Sequence, residues 1–164
     1  MIKIQLGNPE VLVLRIDKSM GVEDVLENIF PLDTDYSFLI WNNIFIPLSY
    51  KYDIPVMVFD FIKILSFLRD DNVLDLEVHW ASNTFASIWI LRKTDHHVHI
   101  KAEWKDVNGG LEGLLNNSNY TNVNVCEFDE QIKKVLMFLQ AAIVKSKANL
   151  DLIYDYKKLH HWVG

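Results

Sequence analysis

A cluster of histidines, one cysteine and a crowd of carboxylates are the side chains here whose types could do chemistry. His96, His97 and His99 stand together, and His79 precedes them. On a strand, residues two apart share a face, so His97 and His99 point the same way. Glu77 and Glu103 have the same outward parity. His79 joins the pair only if its strand lies alongside, and the run Phe85 to Leu91 stands between. Zinc takes three or four converging ligands, often helped by a Cys pair. The chain offers no such support, so ordinary surface histidines and no metal are expected. Cys126 alternates outward from Val123 and Val125, beside Glu127 rather than a base that would favour its thiolate. It reads as an incidental thiol. No Gly-x-Gly-x-x-Gly, Gly-Lys-Ser/Thr or Gly-x-Ser-x-Gly motif is present, and Gly109-Gly110 matches none of them. With 22 acids, naming any two as a hydrolytic couple has no specificity. The expectation is therefore no catalytic residue and no cofactor.

The acids matter more as a field than as reagents. Asp17, Glu23, Asp24, Glu27, Asp33 and Asp35 crowd one stretch against a single base, Lys18. A second group, Asp70, Asp71, Asp75 and Glu77, follows Arg69. Net charge is −6, and residues 1–82 hold 13 of the acids against 6 bases. Phosphate contact needs clustered Lys and Arg, so no nucleic acid is expected as partner. A negative surface instead repels nucleic acid and attracts basic partners. The competing reading is that these acids only solvate helix ends and loops.

The five tryptophans bear on the same question. Trp80 and Trp104 fit the apolar faces of their strands. Trp89 has the opposite parity to Ile88 and Ile90. Either its strand is buried on both faces, or Trp89 is displayed, where it would make an apt interface anchor. Tyr50 and Tyr52 are ambiguous in the same way.

Elements must position these groups, and the apolar periodicity outlines them. Met1 to Gly7 and Val11 to Asp17 read as two strands about the turn Gly7-Asn8-Pro9-Glu10. Val22, Val25, Leu26 and Ile29 have helical spacing, with acids opposite, and Pro31 closes that helix. Tyr36 to Trp41 and Ile44 to Tyr50 flank Asn42-Asn43, a hairpin signal. Pro47, which has no N–H for the ladder, puts the second of these at an edge or a bulge. Asp53, two before Pro55, starts a helix whose stripe runs Val58, Phe61, Ile62, Leu65, Leu68 and is widened by Met57, Ile64 and Phe67. Three alternating strands follow between Leu74 and Trp104, an antiparallel meander with one polar face. Tyr120 to Phe128 alternates again. Asp129 then reads as the cap of a helix carrying Ile132, Val135, Leu136, Leu139 and Ile143. Leu150 to Trp162 is a final amphipathic segment.

Strands and helices are segregated, which gives an α+β class. The expectation is an antiparallel sheet of about six or seven strands, packed on one face by two or three helices. At 164 residues one domain, 1–164, is expected. One cysteine excludes an internal disulfide and fits a reducing compartment. No apolar run reaches membrane-spanning length, and Met1 to Leu6 lacks the features of a signal peptide. No membrane association is expected.

The meander Leu74 to Trp104, the run Ala102-Glu103-Trp104-Lys105-Asp106-Val107-Asn108-Gly109-Gly110 and the closing helix from Asp129 carry a resemblance. In overall type the chain resembles the small acidic immunity proteins that bacteria encode beside secreted or contact-delivered toxins, contact-dependent growth inhibition among them. Those proteins vary in fold, so no residue role carries over by position. The resemblance implies a cytoplasmic inhibitor; apart from it, a monomer or weak homo-oligomer is expected, the latter through exposed aromatics. The inhibitor would bind a cognate protein toxin, often a basic nuclease, and occlude or misalign its active site. On that reading the partner-binding residues are the ten acids named above together with Trp89. The alternative is a small-molecule-binding domain or enzyme with an aromatic-lined pocket.

Overall fold

The computed structural model describes residues 1–163. The α+β class holds: seven strands, all paired antiparallel, and five α-helices. The seven strands form two sheets rather than one. The first takes β1 (Ile2–Gln5), β2 (Ser37–Trp41) and β3 (Ile44–Leu48) in that order. The second is β4 (Asp75–Ser82), β5 (Phe85–Lys93), β6 (His97–Val107) and β7 (Tyr120–Asn124). The helices are α1 (Val22–Ile29), α2 (Asp53–Arg69), α3 (Glu112–Asn117), α4 (Val125–Lys145) and α5 (Tyr156–Val163), with a 3₁₀ turn at Leu150–Leu152.

Local chemistry explains most boundaries. Asn42 and Asn43 take φ of 47° and 69°, the left-handed pair that a two-residue hairpin turn requires, so Trp41 faces Ile44. Pro47 lies on β3, which is an edge strand, where its missing N–H costs no ladder bond. Helix α2 begins at Asp53 with Pro55 in its first turn and is buried on most sides. Its last carbonyls are met by an unexpected partner. Lys93, buried at the end of β5, donates its Nζ to the carbonyls of Phe67 (3.1 Å) and Asp70 (2.7 Å). A cation at a helix C-terminus satisfies orphan carbonyls and opposes the dipole.

Three expectations fail. Val11 to Asp17 is not a strand and forms no opening hairpin; β1 pairs with β2 instead. The segment runs as a strap, with Leu12 N–H on the Ile29 carbonyl and Leu14 N–H on the Ser146 carbonyl. Its apolar alternation serves packing against helix ends rather than a ladder. Asp129 is not a cap. Helix α4 is capped five residues earlier, where the Asn124 side chain accepts from the Cys126 and Glu127 N–H groups. Asp129 lies inside the helix and pairs with Arg69 at 2.7 Å.

The third concerns Trp89, which is 3% exposed and therefore no surface anchor. It pairs across β5 with Val78 and Ala102, both buried, so its parity is inward and Ile88 and Ile90 are the residues turned out. Trp89 and Trp104 from the larger sheet meet Trp41 from the smaller one, and Trp80 packs on Trp89, mostly edge to face, with centroids 5.0 to 6.1 Å apart. Trp41 Nε1 donates to the Ser118 carbonyl at 2.7 Å. The indole N–H groups of Trp80, Trp89 and Trp104 have no conventional acceptor among the described residues. Tilted and edge-to-face rings of this kind offer π faces to N–H edges, a weak substitute that suits a dry core. A continuous apolar core joins both sheets through this cluster.

Candidate partner-binding surface

The acids expected to act together are divided among separate places. Glu23, Asp24 and Glu27 fall on one side of α1 and line an open cleft of about 410 Å³. Its other walls are the start of α2, with Lys51, Tyr52 and Val56, and the β4–β5 turn from Ala81 to Thr84. Asp35 lines a different depression, beside Gly7 and Tyr36, where its carboxylate accepts the Asn8 N–H. Asp17 and Asp33 are exposed on the strap and on the segment before β2. None of these six acids is within ion-pair distance of a Lys or Arg among the described residues.

The second acidic group is already engaged. Asp75 pairs with Arg92 at 2.7 Å across the outer face of β4 and β5, and Glu77 pairs with His79 on the same face. Asp70 folds back on the Asn72 N–H, while its carbonyl receives Lys93. Asp71 lies 3.9 Å from Lys93 Nζ. These acids are therefore partly spoken for by neighbours, which leaves the first six without an ion pair among the described residues, and of those only Glu23, Asp24 and Glu27 share one cleft.

Two buried aspartates build the cleft. Asp53, 1% exposed, accepts the hydroxyls of Ser82 and Thr84 and the Ser49 N–H, so one carboxylate ties the first turn of α2 to the β4–β5 turn. Asp155 accepts the Val22 N–H at 2.8 Å and caps α1 from the far end of the chain. Gly21, the residue before α1, has no side chain to do so. Its bareness also admits Tyr154: a Cβ there would lie 2.7 Å from the Tyr154 hydroxyl.

This architecture concentrates charge. Burial raises the Glu23 carboxyl above its ordinary range, and the fields of Asp155, Asp24 and Asp60 raise it further. Burial likewise raises Asp60, with Lys63 and His79 pulling the other way. The lysine on the cleft wall does not offset the group directly. Lys51 Nζ donates to the backbone carbonyl of Glu27 at 2.8 Å and lies 5.9 Å from the Tyr52 ring centroid. Tyr52 and Val56 are substantially exposed at the rim, and Tyr154 is 71% exposed beside Gly21. A negative cleft with aromatic rims is suited to hold a cation, by charge and by the ring face together.

Sequence reasoning reached Glu23, Asp24 and Glu27 through helical spacing. It missed Asp60, visible only as an interruption of the α2 stripe, and Asp155, for which there is no local signal. Of the two tyrosines left open, Tyr50 is buried and Tyr52 is displayed. His97 and His99 do share the outer face, and β5 separates them from His79. His99 Nδ1 meets the Tyr120 hydroxyl at 2.5 Å. Among the described residues no group of three or more His, Cys, Asp or Glu is disposed to hold a metal, and no helix is long and apolar enough to cross a membrane. Compared with known proteins, the chain matches no family model, no curated protein and no solved structure.

Proposed function

We propose that this chain is a non-enzymatic binding protein of the immunity type, which neutralises a cognate basic protein toxin in the cytoplasm by covering its active site. The observation that carries the reading is the α1 face, where Glu23, Asp24 and Glu27 line one cleft and none makes an ion pair among the described residues, Lys51 on the same cleft giving its Nζ to the Glu27 backbone carbonyl. Carboxylates held together without counter-charges cost stability in the free protein. They are well placed to repay that cost when a cationic surface arrives. They also steer association, which suits an inhibitor that must reach its target before damage is done. The small-molecule alternative gains less. The tryptophans that would line a pocket pack on one another in the core, and the α1 cleft is open to solvent.

The test is co-expression with the protein encoded beside this chain, followed by purification and measurement of toxicity and binding. The expected result is a complex whose association slows steeply as salt rises, because exposed charges are screened beyond ~8 Å at physiological ionic strength. A neighbour that is neither bound nor neutralised by the wild-type chain overturns the reading.

A further inference from the structure

We infer that the outer face of the four-stranded sheet is a self-association surface, on which a second copy of this chain packs face to face around a two-fold axis lying along β5. None of the residues used below lines the α1 cleft, so the inference stands or falls independently of the proposed function.

Alternation sends Trp80, Trp89 and Trp104 into the core and turns the other set of side chains on the same strands outward. The outer side of such a sheet is ordinarily polar. Here the central strand β5 turns out two isoleucines, Ile88, half-buried, and Ile90, 47% exposed. Charges flank them in two columns. On β4, exposed Glu77 and His79 pair with each other. On β6, exposed Lys101 and Glu103 make no ion pair among the described residues. The ladder sets these columns in rows: Glu77, Ile90 and Lys101 in one, and His79, Ile88 and Glu103 in the next.

Charge complementarity selects a second copy as the occupant. A two-fold axis along β5 keeps each row level and exchanges β4 with β6. Ile88 and Ile90 then meet their own counterparts. Glu77 faces Lys101 of the second copy, and His79 faces its Glu103. Each unpaired charge of β6 thus finds an opposite charge, and symmetry supplies every contact twice. The row beyond adds less, since Arg92 meets Arg92 while Asp75 already holds each guanidinium at 2.7 Å. An axis across the strands, midway between the rows, would also match charges. Shape decides between the two. A depression of about 290 Å³ lined by Ile88, Ile90, Lys101, Glu103, Asn116 and Asn119 lies on the β6 side. The axis along β5 brings His79 of the second copy over it. The axis across the strands lays the depression on itself and leaves a gap without packing contacts. Three rows on four strands cover roughly 20 Å by 20 Å, about half a standard interface, so the dissociation constant is on the order of 100 μM.

The test is sedimentation equilibrium of the full chain from about 10 μM to about 1 mM, at low and high salt. The expected result is a monomer–dimer equilibrium that salt weakens. Lys101→Glu and Glu77→Lys should each weaken the dimer at least about tenfold, because like charges then face each other twice across the interface. Mixed in equal parts, the two variants should associate again near the wild-type strength, since both contacts of the mixed dimer join opposite charges. Lys134→Glu, on α4, should change nothing. Circular dichroism of each variant reports whether it is folded. A wild-type chain that stays monomeric, a dimer indifferent to Lys101→Glu and Glu77→Lys, or one that Lys134→Glu weakens as much overturns the inference. So does a mixture of the two variants that fails to associate, because it removes the axis along β5.

Discussion

Glu23 shows how one side chain can carry both an instability and a use. Its carboxyl is raised by burial and by three carboxylate neighbours, and it has no counter-ion. A folded-state value above the unfolded one means that the folded protein favours the protonated acid. The associated stability is fully present below the ordinary carboxylate range. It is lost as pH rises through the elevated folded value. Asp60 adds to the trend in the same direction. Glu23→Gln should therefore leave stability almost unchanged near pH 4 and raise it at pH 7.5. The group is more than a third exposed, so solvent screening limits the gain to roughly 0.5 kcal/mol. Urea denaturation of both proteins at the two pH values measures this. A variant less stable than wild type at pH 7.5 would mean that Glu23 makes a favourable contact there. Lys93 is the opposite case at the same scale. Its charge is spent inside the molecule, on the carbonyls that end α2, with the Asp71 carboxylate 3.9 Å away.

Among the elements, α1 depends most on distant help. It is eight residues long, too short to persist alone in water, and its own N-cap is a glycine. Asp155 supplies the missing acceptor, and Met20 pairs with Ile153 beside it. Asp155→Ala should cost about 1 to 2 kcal/mol and speed hydrogen exchange at Val22 and Glu23 more than in β5. Equal exchange in α1 of both proteins would show that packing alone holds the helix. What the sequence disclosed here follows from range. The Asn42-Asn43 turn, the edge position of Pro47 and the start of α2 are set by residues within a few positions, and all three were legible. The cap on α1 comes from a residue 133 positions away, and no local pattern could announce it. The start of α4 was misplaced for a related reason. Asn124 and Asp129 are both good caps, and pairing with Arg69 of α2 gave Asp129 another task.

At the scale of the whole molecule, two sheets meet through indoles, and the division of the seven strands could not be read from the chain. Alternation tells which side chains share a face, not which strands share a ladder. Trp89 shows the cost of reading parity without a partner strand. The opposite parity of Ile88 and Ile90 leaves burial on both faces and display of Trp89 both open, and only Val78 and Ala102 across the ladder make Trp89 the core residue. Trp89→Ala should destabilise the fold by about 3 to 5 kcal/mol, the usual range for emptying an aromatic site. The folded fraction should bind its partner as before. A large loss of affinity with unchanged stability would place Trp89 in the interface after all. The acids obey a similar rule: charge density was visible in the sequence, but which acids would find internal partners was not. Arg92 and Lys93 approach Asp75 and Asp71 only once the sheet has formed, whereas His79 and Glu77 stand two apart on one strand.

Trp41 belongs to one sheet, and Trp89 and Trp104 to the other, with their rings in contact. Chromophores this close share excited states, so the protein should carry an optical signature in its near-ultraviolet dichroism that neither sheet would show alone. That signal is an unlabelled gauge of the seam. It would fade when the two halves part, and it would stay constant while a ligand only settles on the outside.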